Sequence, residues 1–350
     1  MGLLLKVKNK TVDFFNDFSF NLRYDSIASS FGFSYYYDPN NLENKQISEI
    51  LKFNEVQLYY NEQLLITGNI INQGFSQSSA KQLARFGGYS KTGVLEDCQI
   101  PVSLYPLQFD KLNLYEIASK LTKPFNIEIL IDISVRDRMS KIFDTSTASE
   151  RSSIKDFLTD LAVQKDIIIT HTRRGELMFT DAKTIGNTII DFDLTEGTEN
   201  VNTIATNFNI DYDGQSMHSE ITVQKQASID GGNAGEYTIK NPYVTNYFKP
   251  RVIIQSSGDD NDTILMARRE LGNEISNIKL SFDINTWLID GIIIRPNNLI
   301  SLIAPELGIF KRTLFFIESV NFSGDNVSET ATVNCVLPEV YNKNEVKSIF

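Results

Sequence analysis

The sequence predicts a mainly β protein with α+β parts: two small antiparallel β-barrels, a small α/β domain between them, and a helical excursion within the second barrel. Three observations predict it. Short runs of alternating apolar and polar residues fill residues 1–105 and return towards the end of the chain. Between them lie two helix-period runs, each followed by extended runs, the pattern of a small α/β domain. A further helix-period stretch, preceded by the acidic run Asp259–Asp262, interrupts the second β-rich part.

The first barrel is expected over residues 1–105. Leu3 to Lys8 reads as a strand, as does Phe18 to Tyr24, where Phe18, Phe20 and Leu22 alternate with polar neighbours. Asp25 to Ser30 suggests one helical turn or a bulge. Phe31 to Tyr37 resumes an extended pattern and stops at the turn cluster Asp38-Pro39-Asn40-Asn41. Val56, Leu58 and Tyr60 alternate, Asn61-Glu62 turns, and Leu64 and Ile66 alternate again, a hairpin pattern because Asn tolerates positive φ. Gly87 and Gly88 allow a tight bend or bulge, and Ser90 to Gly93 reads as a short polar turn. Val94, Leu95, Cys98 and Ile100 are expected to form a strand edge closing the barrel, ended by Pro101, which has no amide hydrogen.

The α/β domain is expected over residues 106–182. Leu114, Ile117, Ala118 and Leu121 share a helix face, with Pro124 as the stop. Ile127 to Ile131 reads as a strand. Ile154, Phe157, Leu158, Leu161 and Ala162 repeat the helical spacing behind a Ser152 or Ser153 cap. Ile167 to Thr170 and Glu176 to Phe179 then flank an Arg173-Arg174-Gly175 turn.

The second barrel takes residues 183–230 with 285–341. It starts with strands around Ile204, Phe208 and Ile210 and around Ile221 and Val223, joined by a turn at Tyr212 to Gln215. Residues 231–284 form the linker and helix insertion, with Asp259–Asp262 as the cap and Ile264, Leu271, Ile275 and Ile278 on one helix face. Leu280, Phe282 and Ile284 alternate after it. Arg312 to Phe322 is a strand, Ser323 to Asn326 a turn, and Ala331, Val333, Cys335 and Leu337 the buried face of the last strand. Residues 342–350 form a C-terminal tail. That tail and the loop Ser228 to Glu236 are expected contact segments, because flexible pieces order on assembly.

The 350 residues suffice for about two to four domains. The formal net charge of −11 argues against a protein that grips nucleic acid, which needs clustered Lys and Arg. The two cysteines, Cys98 and Cys335, fall in strand-like runs and read as reduced thiols. The apolar run at Met1 to Lys6 is too short for a signal peptide, and no stretch reaches membrane-spanning length, so a soluble chain made in a cytoplasm and without membrane insertion is expected.

No catalytic, cofactor-binding or metal site is expected. His171 and His218 both fall in expected strands, without a second His or a Cys at metal-ligand spacing. Ser78-Ser79-Ala80-Lys81 and Lys91-Thr92-Gly93 mimic two motifs of penicillin-recognising enzymes, but they nearly touch in sequence and the third motif is missing. Asp259–Asp262 lacks the Gly and terminal Glu of a calcium loop. Nucleophile-elbow, phosphate-loop and dinucleotide fingerprints are absent. Most Tyr and Phe residues alternate along strands and read as core, whereas Tyr35-Tyr36-Tyr37 should expose at least one ring as a protein contact.

Arg85, Ser90-Lys91-Thr92 and Leu95-Glu96-Asp97-Cys98 resemble the Arg-Ser-Lys-Thr…Leu-Val-Asp-Cys stretch of the baseplate hub proteins of Mu-like phage tails. Here Phe86 to Tyr89 separate the Arg from the Ser. Phe53 to Tyr60 with Leu65-Ile66-Thr67-Gly68 is similar to the family's hairpin, and Leu114 to Phe125 to its helix ending in Pro-Phe. Asp191 to Asn200, Tyr247 to Ile254, Ala267-Arg268-Arg269, Trp287, Pro296-Asn297 and Leu307-Gly308-Ile309 match further along in the same order. The resemblance marks Arg85, Ser90, Lys91, Thr92, Leu95, Asp97 and Cys98 as a structural signature.

The resemblance implies a homotrimer in a virion tail baseplate, assembled in the host cytoplasm. Two related barrels per subunit would form a pseudo-sixfold ring. That ring would join a tail tube or distal tube-end protein to a threefold central spike protein. DNA and the tape-measure protein would pass through its acidic lumen without specific binding. Contractile tails are favoured, and tail-derived injection machines reuse the same part. The alternatives are a host-surface-binding tail module, which would bind glycans or cells alone, and a cell-wall-degrading tail enzyme, which would clear peptidoglycan.

Overall fold

The computed structural model describes every residue except 1, 9, 13–14, 79–81, 196–203, 226–234, 256–262, 326 and 343–344. The chain is mainly β and divides into two units. One is Met1–Asp181 with Asn321–Ala331, the other Ala182–Val320 with Thr332–Phe350.

In the first unit, alternation along each strand sets which face is buried. Strand β1 (Leu3–Val7) buries Leu3, Leu5 and Val7 and pairs antiparallel with β2 (Lys10–Val12) and β5 (Glu55–Tyr60). Strand β3 (Asp17–Arg23) buries Phe18, Phe20 and Leu22 and pairs with β4 (Ser30–Tyr36). Helix α1 (Leu42–Ile47) starts at Asn41, whose side chain accepts from the Glu43 and Asn44 amides. Strands β5 and β6 (Gln63–Gln77) form the expected hairpin, and positive φ at Asn61 (44°) and Glu62 (65°) matches the right-handed twist of paired strands. Strand β7 (Gln82–Ser90) lies between β6 and β4. The order is β3-β4-β7-β6-β5-β1-β2, and among the described residues no pairing joins its ends into a closed barrel. Tyr35 is buried and stacks on Phe86 at 5.6 Å, while Tyr36 is 49% exposed, so the tyrosine run does show a ring.

Gly87 and Gly88 lie inside β7, and the register shift sits opposite them, between Ile70 and Asn72 of β6. A Cβ on Gly88 would stand 2.0 Å from the Asn69 carbonyl oxygen and 2.6 Å from the Phe31 ring. The glycine is needed for close approach of strands, not for a bend in its own strand.

The rest of the first unit is the α/β part. Helix α2 (Val94–Asp97) stands where the sequence suggested a strand edge. Strand β8 (Leu112–Asn113) leads into α3 (Leu114–Thr122), which opens with an Asn113–Glu116 capping box. Pro124 falls in a short 3-10 turn beyond the helix end, and Asn126 reverses the chain with φ 53°. Strand β9 (Ile129–Ile131), helix α4 (Arg136–Met139) and strand β10 (Ile142–Phe143) follow, β10 pairing with β8. Helix α5 (Ile154–Gln164) is capped by Ser153, as expected. Strands β11 (Ile168–His171) and β12 (Leu177–Thr180) form a hairpin around Gly175, and β9 pairs parallel to β12. Leu114, Ile117, Leu121, Ile154, Leu158 and Leu161 bury into one core.

In the second unit, β13 (Thr188–Asp193) begins the chain's return to β structure and β14 (Ala205–Tyr212) follows. Strands β15 (Glu220–Lys225), β16 (Glu236–Lys240) and β17 (Pro250–Gln255) make a separate sheet with β15 central, so β14 and β15 enter different sheets. Helix α6 (Thr263–Ile275) packs Leu271 and Ile275 against Ile221. Ile264 is 40% exposed, and Ile278 begins the next strand, β18 (Ile278–Ile284), so neither completes the helix face expected for them. The capping run Asp259–Asp262, Glu196-Gly197 and most of the loop Ser228 to Glu236 lie outside the described residues. Strands β19 (Leu288–Ile289) and β20 (Ile292–Ile293) form a small hairpin.

Strand β21 (Leu299–Ala304) pairs parallel with β13 and antiparallel with β22 (Ile309–Asp325), which is followed by β23 (Glu329–Val336) and helix α7 (Glu339–Asn342). The order is β14-β18-β23-β22, again without closure among the described residues. Ala331, Val333 and Cys335 are buried on β23, as the alternation predicts. The far end of the β22–β23 hairpin belongs to the first unit. There Phe322 stacks on Phe20 at 4.8 Å, and the Tyr60 hydroxyl donates to Glu329 at 2.8 Å. No described helix is long and apolar enough to cross a membrane.

Candidate functional site

The signature residues meet where β7 hands over to α2 through a 3-10 turn, Lys91–Gly93. Ser90 is buried at the end of β7. Its amide donates to the Ser29 carbonyl at 2.8 Å, and its Oγ accepts the Ser29 amide at 3.1 Å. Thr92, fully buried, donates its hydroxyl to the Ile27 carbonyl and lies 3.3 Å from Ser90 Oγ. The Asp25–Ser30 connection is thereby tied to the start of the α/β part through backbone groups, which must find partners once buried.

Lys91 pairs with Glu55 at 3.2 Å, and its stem lies against Gly175 so closely that a Cβ there would stand 2.8 Å from the Lys91 Cβ. Leu95 is fully buried in the α/β core. The Tyr89 hydroxyl donates to Asp97, and burial followed by that carboxylate raises the phenol pKa. Gly93 faces the Tyr89 ring, where a Cβ would come within 2.3 Å. Cys98 lies beyond α2 and not in a strand, because the hydrogen bond from its amide to the Val94 carbonyl (3.1 Å) closes a helical turn; its own carbonyl accepts from Ile154 at 3.0 Å. Its thiol is half-buried and free, whereas Cys335 is buried and its thiol pKa is pushed well up by burial.

The Asp25–Ser30 connection also reaches β11. The Ser26 carbonyl accepts from Thr170 Oγ1 at 3.4 Å and from His171 Nδ1 at 3.3 Å. Burial lowers the His171 pKa to about 4, so the ring is neutral at pH 7.

The structure thus gathers Ser90, Lys91, Thr92, Leu95, Asp97 and Cys98 at one joint, and leaves Arg85 exposed further up β7, opposite Ser34 and Gly74. The joint's other half, Ser26, Ile27 and Ser29, was invisible in sequence because it acts through backbone groups that any residue carries.

His218 lies in the connection before β15, not in a strand. Its amide and Nδ1 donate to the buried Glu274 of α6 at 2.8 and 2.6 Å, and Arg251 pairs with Glu270 at 3.2 Å. Removing a partner there leaves a buried carboxylate under-satisfied, so the cluster reads as a fold element. Among the described residues no group of three His, Cys, Asp or Glu is placed to hold a metal ion. Neither hydroxyl of the joint faces a base: both are committed to backbone groups or to each other. The arrangement fastens one part of the unit to another.

Fold and joint together describe a mainly β chain fastened by buried hydrogen bonds, and its fold is shared with solved structures of tail proteins. The 43 kDa tail protein of prophage MuSo2 from Shewanella oneidensis superposes with a TM-score of 0.81 at 18% identity, covering 97% of this chain and 99% of that one. The tail protein from Neisseria meningitidis MC58 superposes with a TM-score of 0.80 at 15% identity, covering 97% of each chain. The E. coli c3393 protein, a type VI secretion component described as structurally similar to T4 tail proteins gp27 and gp5, gives 0.55 at 10% identity over 98% of this chain and 79% of that one. No curated protein matches the chain by sequence. Residues 92–181, which begin at Thr92 of the joint, match the family model of the baseplate hub protein gp44-like second domain.

Proposed function

We propose that this chain is a structural baseplate hub protein of a phage tail, or of an injection machine derived from one. The observation that supports it most is the match of residues 92–181 to the hub second-domain model, within a chain that shares a tail protein's fold over 97% of its length. In this reading three copies form a ring in the virion baseplate. The two β modules of each copy, each a small barrel in the ring, alternate around the axis. Six similar modules then meet a sixfold tube on one side and a threefold spike on the other. The role needs no catalytic centre. The joint at Ser90–Cys98 serves to hold the α/β part rigidly on the first β module. The net charge of −11 suits a channel that passes DNA and tape-measure protein without gripping phosphate.

The test is mass and binding. Light scattering at micromolar concentration should give three times the 39.7 kDa chain mass, and the purified chain should co-sediment with the tube and spike proteins of its own tail. A chain that stays monomeric and binds neither partner overturns the reading.

A further inference from the structure

In the second unit, a groove of about 970 Å³ is lined by β16 and the loop after it, by Arg268 and Leu271 of α6, and by Glu345 and Val346 of the C-terminal tail. These walls are fastened to one another. Val346 packs on the core of Ile221, Leu271 and Ile275. The Tyr243 hydroxyl donates to the Lys347 carbonyl at 3.2 Å, and the Phe350 ring lies 5.9 Å from Tyr243 and 5.4 Å from Tyr212. Pieces far apart in sequence thus meet in one preformed concavity, at the upper end of the roughly 300–1,000 Å³ common for ligand sites.

The groove holds polar and aromatic groups that the fold itself does not use. Asn241 lines it and is 2% exposed; its Oδ1 accepts the Tyr243 amide at 3.0 Å, but its Nδ2 has no acceptor among the described residues. Buried donors normally find a partner, so this one calls for an oxygen that the chain does not supply. Tyr247 and Phe248 are 70% and 78% exposed, and no other described ring stacks on either. Glu220, Lys240, Arg268 and Glu345 are the charged side chains of the lining, two of each sign, and none has an ion-pair partner among the described residues.

We infer that this groove binds a glycan chain carrying N-acetyl groups. Aromatic faces left open to water suit the C–H faces of sugar rings, which are apolar although the ring edges are polar. Sugar hydroxyls both donate and accept, so they satisfy carboxylates and cations alike. The N-acetyl carbonyl supplies the acceptor that the buried Asn241 amide lacks. Two charges of each sign leave no net field for a polyanion and suit an uncharged polymer. A polypeptide adding to β16, an edge strand among the described residues, would draw on the backbone groups of that one strand. It would leave Arg268 on α6 and Glu345 on the tail unmatched. The inference goes beyond the hub reading and needs no particular number of copies.

Isothermal titration of the full chain with tetra-N-acetylchitotetraose tests it. This sugar should bind at least ten-fold more tightly than cellotetraose, which has hydroxyls in place of the N-acetyl groups. Phe248→Ala should weaken that binding ten-fold or more with an unchanged unfolding temperature, because the ring is 78% exposed. Asn241→Asp keeps an acceptor for the Tyr243 amide and removes the donor, so it should erase the preference for the N-acetylated sugar. No binding of either sugar at millimolar concentration overturns the inference, as does equal binding of both or unchanged binding by Phe248→Ala. A hexapeptide of alternating Thr and Val, able to extend a sheet edge, should not bind. If it binds and the sugars do not, the groove takes polypeptide and the inference falls. Co-sedimentation with peptidoglycan sacculi, set against retention on an N-acetylated surface polysaccharide, identifies the source of the glycan; retention by neither overturns the inference. A monomeric chain that binds the sugar but neither tube nor spike overturns the hub reading and leaves this one standing.

Discussion

Thr92→Val tests whether the joint is a structural lock. The two side chains have nearly the same shape, so the perturbation is confined to one hydroxyl. In the native chain that hydroxyl donates to the Ile27 carbonyl, and both residues are buried, at 0% and 3% exposure. The substitution leaves the carbonyl without this donor in an apolar setting, which costs about 1–3 kcal/mol. The lost contact with Ser90 Oγ at 3.3 Å adds little, because Ser90 keeps its Ser29 bonds. Taking about 2 kcal/mol, and a unit in the 150–250-residue class, the melting temperature should fall by roughly 4–8 °C. Differential scanning calorimetry of the full chain, with hydrogen exchange at the Ser29 and Ser90 amides, reads both the size and the place of the loss. A drop under about 1 °C with unchanged protection would refute the lock, because Ile27 would then have an equivalent donor.

Two further predictions follow from the same unit. Gly88→Ala puts a Cβ 2.0 Å from a backbone oxygen of β6 and should destabilise by about 3 kcal/mol in urea unfolding, whereas Gly74→Ala, with no atom within 4 Å of its new Cβ, should be neutral or slightly stabilising. His171, held neutral by burial down to about pH 4, binds fewer protons folded than unfolded below its ordinary value of 6.5. It therefore costs stability progressively as pH falls from about 7 to 4, reaching about 3 kcal/mol, and His171→Gln should flatten that part of the stability–pH curve measured by denaturant titration.

Strand alternation at Phe18-Phe20-Leu22 and Val56-Leu58-Tyr60 was readable because one face of each strand packs and the other does not. The Asn61-Glu62 turn and the Ser153 cap were readable because each uses a local hydrogen-bond or φ requirement that few residue types satisfy. Val94 to Asp97 misled because a short apolar run has no period, and its helical turn is set by Leu95 dropping into a core built by residues far along the chain. The separate β15-centred sheet misled for a similar reason: β17 pairs parallel to β15 across a long connection, which leaves no local pattern. At the joint, Ser90 and Thr92 could be found by resemblance, but the groups they bind could not. A carbonyl at Ile27 or Ser29 becomes special only through burial.

The strand end at Asn321–Ala331 completes a unit whose other residues all precede Ala182. During translation at about 5–20 residues per second, the ribosome needs on the order of ten to thirty seconds to deliver that last piece. Until then the nascent amino-terminal half exposes Phe20, the ring on which Phe322 later stacks. A prematurely terminated polypeptide would carry this unsealed seam permanently. Closure of the first unit is thereby tied to synthesis past Ala331, because only a chain that has reached β23 can cover Phe20 with Phe322.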